Sequence, residues 1–176
     1  KARIVMAGLT VVTAATSEAL TETEIRNYLR VDQYSELGTL QLLRKAARQH
    51  CENYTGRRLL SQTLKLSLDG TRDTDTGLWE GLVDGPYLNF YKDYINLPTA
   101  PTASVSSIVT YNDSDSSTTF ASSKYYVDNA REPARIVLRT GETWPTALRV
   151  ANAIEITFVA GYAAGEIPPD MKLGML

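Results

Sequence analysis

The hydrophobic period of this chain changes at Gly56, and that change constrains the fold more than any other feature. Upstream, Leu37, Leu40, Leu43, Ala47, Cys51 and Tyr54 recur at steps of three and four. Such spacing predicts one continuous helical stripe, here over roughly Ser35 to Thr55. Lys45, Arg48 and Glu52 occupy its other flank, and Gly56 is the expected left-handed cap. Downstream, Leu60, Leu64, Leu66 and Leu68 point one way while Ser61, Thr63, Lys65 and Ser67 point the other. A period of two is that of a strand with one buried face.

An earlier helix is marked by Thr21 and Glu24, a capping box in which hydroxyl and carboxylate each satisfy an orphan amide, with Leu20 just ahead. This helix is expected to run to about Arg30 and to bury Ile25, Tyr28 and Leu29. Strands are expected at Tyr94–Leu97, Val105–Tyr111, Tyr125–Asp128, Ala134–Arg139 and Val150–Ala160. The polar run Asn112–Thr119 reads as a loop tip, and Asp69–Asp93, rich in Gly, Asp and Thr, as a long hairpin or excursion. Pro168-Pro169 opens a last helix. Helices, then strands, then a helix make an α+β fold rather than a repeated βαβ unit. The expected organisation is a helical part with an N-terminal arm (1–58), a β-rich part (59–162) carrying the 69–93 excursion, and the start of a C-terminal helix (163–176), all one structural unit.

Composition removes several function classes. The 176 residues carry a net charge of −2, so no overall basic field advertises nucleic acid. One cysteine, Cys51, allows no internal disulfide, which fits a reducing compartment. No apolar run reaches the roughly 20 residues that span a bilayer, so no membrane partner is expected. The opening Lys1–Thr16 has a signal-peptide outline, but Gly8 and Thr10 dilute its apolar run, and an extended arm or first strand is the stronger reading.

Catalytic machinery is thin. His50 is the one histidine, and its neighbour Cys51 points about 100° away on the same helix. One Cys and one His are too few for zinc. Asp73, Asp75 and Asp84 have the spacing of calcium-loop positions one, three and twelve, yet Leu78 stands where the loop needs glycine, and a solvated turn is the better account. No Gly-rich phosphate loop precedes a Lys-Ser/Thr pair. The expectation is no cofactor, no metal and no enzyme. The basic residues Arg44, Lys45 and Arg48, with Arg57 and Arg58 beyond, admit two readings: a solvated helix flank whose cations answer the dipole, or a local surface for phosphates. Ten tyrosines and two tryptophans would suit a glycan-binding sandwich, although strand propensity accounts for most of them.

Ordered motifs along the chain carry a resemblance. Leu9-Thr10-Val11-Val12 leads to Leu20-Thr21-x-x-Glu24 and Tyr28-Leu29-Arg30-Val31-Asp32. Ala46-Ala47 then leads to Glu52-x-Tyr54-Thr55-Gly56-Arg57-Arg58-Leu59 and Gln62-Thr63. Further on stand Ile95-x-Leu97-Pro98, Val105-x-x-Ile108, Tyr111-x-Asp113, Tyr125-Tyr126-Val127-Asp128, Trp144-Pro145 and Ile154-x-Ile156-x-Phe158-x-Ala160-Gly161-Tyr162, with Ile167-Pro168 last. Together they resemble the head–tail connector, or adaptor, proteins of tailed bacteriophages, including the adaptors of gene transfer agents. The Asp69–Asp93 segment is longer than that family's pattern, and in the family the last helix continues where this sequence stops.

The resemblance implies a non-enzymatic virion component, assembled in a bacterial cytoplasm. It would form a homo-oligomeric ring, a dodecamer matching the portal protein above it. It would also meet a stopper or tail-completion protein and line a channel for double-stranded DNA that passes without sequence-specific binding. Lys45, Arg48, Arg57 and Arg58 are then the expected partner or channel contacts. Ile167, Met171, Leu173, Met175 and Leu176 are the expected portal-docking residues, because so short a helix must pack on something, either its own first helices or a neighbour; the resemblance favours the neighbour. The alternative is a β-rich glycan- or receptor-binding virion module.

Overall fold

Local signals in the sequence set most element boundaries. In a computed structural model that describes residues 8–30, 37–70, 94–163 and 165–176, strand β1 (Leu9–Thr13) precedes helices α1 (Glu22–Leu29) and α2 (Leu37–Thr55). The capping box of α1 is complete: the Thr21 hydroxyl accepts from the Glu24 amide at 3.2 Å, and Glu24 Oε2 accepts from the Thr21 amide at 2.6 Å. Arg30 closes α1 in the left-handed conformation, its amide donating to the Arg26 carbonyl. Gly56, at φ +70°, caps α2, its amide donating a hydrogen bond to the Glu52 carbonyl.

Among the described residues, eight strands form two antiparallel sheets. One holds five strands in the order β1, β2 (Gln62–Leu68), β8 (Ile154–Ala160), β4 (Thr102–Tyr111), β5 (Ser117–Thr119). The other holds β3 (Tyr94–Asn96), β7 (Arg135–Leu138) and β6 (Tyr125–Asp128). Strands β2 and β8 pair over their whole lengths, from Gln62 opposite Ala160 to Leu68 opposite Ile154, and both alternate strictly between buried and half-buried residues. Their inward Leu64, Leu66, Ile156 and Phe158 form one core with Leu97, Tyr125, Ile136 and Leu138 from the smaller sheet side. Phe120 stacks on Trp144 and Tyr125 at the margin of that core, with ring centroids 5.1 and 6.1 Å apart. The fold is α+β, as the order of periodicities predicts.

Two sequence expectations are corrected by packing. The run 112–119 is a hairpin whose second half is strand: the Asn112 side chain accepts from the Ser114 and Ser116 amides to close the turn, and Ser117–Thr119 pair with Val109–Tyr111. This edge strand is exposed throughout, so it lacks the apolar alternation by which a half-buried strand is recognised. The second correction concerns the helices. Leu40 is buried in α2, but Leu43 and Tyr54 are exposed, and Arg48 and Glu52 are inside instead. Tyr28 and Leu29 of α1, expected to be buried, are exposed as well. The 69–93 excursion, beyond Gly70, and the calcium-like trio Asp73, Asp75 and Asp84 lie outside the described residues.

Candidate functional site

Two of the basic residues singled out from sequence, Arg48 and Arg58, meet on Glu52 at the junction where α2 hands over to β2. Arg48 is 8% exposed and Glu52 4% exposed. The Arg48 guanidinium donates to both oxygens of Glu18, at 2.7 and 3.2 Å, and to Glu52 Oε2 at 3.3 Å. That Glu18 hydrogen bond, reinforced by the charges of Glu52 and Glu18, holds the Arg48 proton more firmly than in water despite the burial. Glu52 also accepts from the Leu59 amide at 3.0 Å through Oε1 and from Arg58 at 3.5 Å through Oε2. One carboxylate thereby ties the helix, the turn after it and the first residues leading into β2. A bidentate guanidinium–carboxylate pair is among the strongest polar contacts a protein makes.

Arg57 reaches the other way, donating to the Tyr162 hydroxyl at 3.0 Å and pairing with Glu132. Its backbone bridges Ala100, beside the Arg58 amide, which donates to the Ala100 carbonyl at 2.9 Å. Of the four expected partner or channel contacts, then, Arg48 is interior, Arg57 and Arg58 are half-buried and ion-paired within the chain, and Lys45 is exposed. The Arg48–Glu52 pair was legible as an i,i+4 spacing, whereas Glu18 and Glu132 lie 30 and 75 residues from their arginines and carry no sequence signal.

Within the chain the C-terminal segment packs on the chain's own first helices and on the turn after α2, one of the two partners expected for it. Helix α3 (Pro169–Leu173) starts with Pro169 at its first turn. Ile167 is buried with Ala19, Leu59 and Leu60, and Met171 and Met175 pack on that cluster. Met175 and Leu176 also cover Leu20, Ile25 and Leu40 between α1 and α2. Lys172 reaches Glu24 at 3.2 Å. Of the five residues expected to dock, Leu173 is exposed, at 68%. The physical reason is the one that required packing at all: a five-residue helix gains too few hydrogen bonds to stand alone, and the gap between α1, α2 and the turn after α2 lies close at hand.

Among the described residues, those able to carry chemistry do not converge. His50 is exposed; Cys51 is half-buried, and burial, followed by the charge of Glu52, pushes its thiol up, away from a reactive thiolate. Among the described residues, no three His, Cys, Asp or Glu side chains group to hold a metal ion, and no helix is long and apolar enough to cross a membrane.

No family profile and no curated protein sequence matches the chain. Solved structures do. A chain in the neck of an empty gene transfer agent particle, computed with C6 symmetry, superposes with a TM-score of 0.65 at 26% identity, covering 95% of this chain and 81% of that one. A chain in the neck of the native particle, computed with C12 symmetry, gives 0.64 at 25% identity over 95% and 78%. The fold is that of a gene transfer agent neck chain. A chain of the native gene transfer agent virion, at 22% identity and TM-score 0.64, has the same fold over 95% of this chain.

Proposed function

We propose that this chain is a structural subunit of the neck of a phage or phage-like particle, a connector that forms a ring between portal and tail. The observation that carries this reading is the likeness to gene transfer agent neck chains over 95% of the chain at 25–26% identity. The symmetry in which those necks were computed supports a cyclic homo-oligomer, with twelve copies as the number that would match a portal. The role needs no catalysis, and His50 and Cys51, which point about 100° apart on α2, fit it. The ring would pass double-stranded DNA through its lumen. Lys45 and the outer edges of Arg57 and Arg58 would be its cationic contacts, while Arg48 belongs to the interior.

Electron microscopy of particles carrying an affinity tag on this chain tests the proposal. The tag is expected at the head–tail junction in a ring, and a tag on the capsid shell or the tail fibres would refute it. DNA binding by the free protein is expected to be weak, because only a few phosphate contacts are on offer, and to be lost as salt is added, because those contacts are electrostatic; tight sequence-specific binding at physiological salt is the contrary result.

A further inference from the structure

Helix α2 is inverted relative to an ordinary surface helix. Its charged residues Arg44, Arg48 and Glu52 face inward or are half-buried, and of its charges Lys45 is exposed. Its outward side, at 100° per residue, is formed by Thr39, Leu42, Leu43, Ala46, Gln49, His50, Asn53 and Tyr54, every one exposed and none carboxylate or ammonium. Leu42, Leu43 and Tyr54 are 69%, 54% and 83% exposed. A helix of 19 residues is about 28 Å long, and a strip about 10 Å wide along it covers on the order of 300 Å². Leu42, Leu43, Ala46 and Tyr54 make about half of that strip apolar, and the rest of it is polar without charge.

We infer that this neutral outer face of α2 is a lateral contact with a second copy of the chain. The inference rests on the neck reading above and says which surface closes the ring. The face offers phosphates no row of cations, so it is not a DNA surface. In a cyclic assembly every subunit meets a copy of itself on both sides, through two different patches that complement each other. Copies that each carry a net charge of −2 repel mildly, and a face without charge is one along which they can approach. The strip supplies over a third of the roughly 800 Å² per partner of a standard interface. Its apolar Leu42, Leu43, Ala46 and Tyr54 are interleaved with the uncharged polar Thr39, Gln49, His50 and Asn53, a mixture like that of non-obligate interfaces, which are about as apolar as the rest of a protein surface. The ionic junction of Arg48, Glu18 and Glu52 on the opposite side of α2 holds that strip rigidly against the rest of the fold.

Photocrosslinking in assembled particles tests it. Benzoylphenylalanine is placed at Leu42, particles are purified and irradiated, and the products bearing this chain are identified by mass spectrometry. An adduct of two copies of the chain, linked from position 42, is expected. An adduct to a different virion protein, or no adduct while the chain is present in the particles, overturns the inference and leaves the neck reading standing. Absence of the unmodified chain from purified particles sinks the neck reading and the inference with it. As a second measure, Leu43→Glu is expected to leave the melting temperature of the free protein unchanged and to lower incorporation into particles at least tenfold; normal incorporation would count against the face.

Discussion

Replacing Glu52 isolates the contact on which the helical layer depends. Its carboxylate is 4% exposed and receives the Leu59 amide, Arg48 and Arg58. In Glu52→Ala the Leu59 amide loses its acceptor, at a cost of about 1–3 kcal/mol for a buried unsatisfied donor. Arg48 keeps Glu18, but a buried cation that has lost one of two counter-charges adds to that cost. Removing one partner of a buried pair typically costs about 3–5 kcal/mol, which for a chain of this size is about 6–20 °C of melting temperature. Glu52→Gln is the informative control, since its amide oxygen can still accept from Leu59 while its charge is gone. The order of stability expected from calorimetry or urea unfolding is wild type, then Gln, then Ala. A loss below about 1 kcal/mol for Glu52→Ala, the range of an exposed ion pair, would refute the argument that this carboxylate locks α2 to the sheet.

Gly161 sits at φ +114°, where an added Cβ would lie 2.0 Å from the Leu60 carbonyl oxygen; Gly161→Ala is expected to destabilise by about 1–3 kcal/mol from the backbone conformation alone, with the clash adding more, and wild-type urea stability would contradict it. Hydrogen bonds from Thr21, the backbone one first, hold the Glu24 carboxyl below the usual carboxylate range. A lowered folded value means the contribution of Glu24 is fully present above the unfolded value of about 4.3 and is lost as pH falls through the folded one. The melting-temperature gap between wild type and Glu24→Gln should therefore close on acidification, and a gap constant with pH would contradict the assignment. Because burial raises the Cys51 thiol, alkylation of the folded protein near pH 8 is expected to be slower than that of the urea-unfolded chain. Cys51→Ala should cost about 1 kcal/mol or a little more in unfolding experiments, through lost packing.

Much of the architecture was legible in the residues because its signals are local. A capping box needs only residues 21 and 24, a left-handed cap only Gly56, and a half-buried strand only alternation such as that of 62–68 and 154–160. These properties depend on backbone geometry and on one face being wet, so they survive ignorance of the partner. The change of period at Gly56 thus sufficed for an α+β fold with its helices first. What the chain alone could not reveal is which side of α2 faces in. Arg48 and Glu52 read as a solvated flank because isolated charges do not bury, and they are inside only because Glu18, the Leu59 amide and Arg58 arrive from elsewhere to satisfy them. Once that flank is inside, Leu43 and Tyr54 must be outside, since one helix cannot turn both sides to the same neighbour. The C-terminal segment divides in the same way: the residues alone showed that Met171, Met175 and Leu176 needed cover, and only the tertiary structure shows the gap beside α1, α2 and the turn after α2 in which they pack.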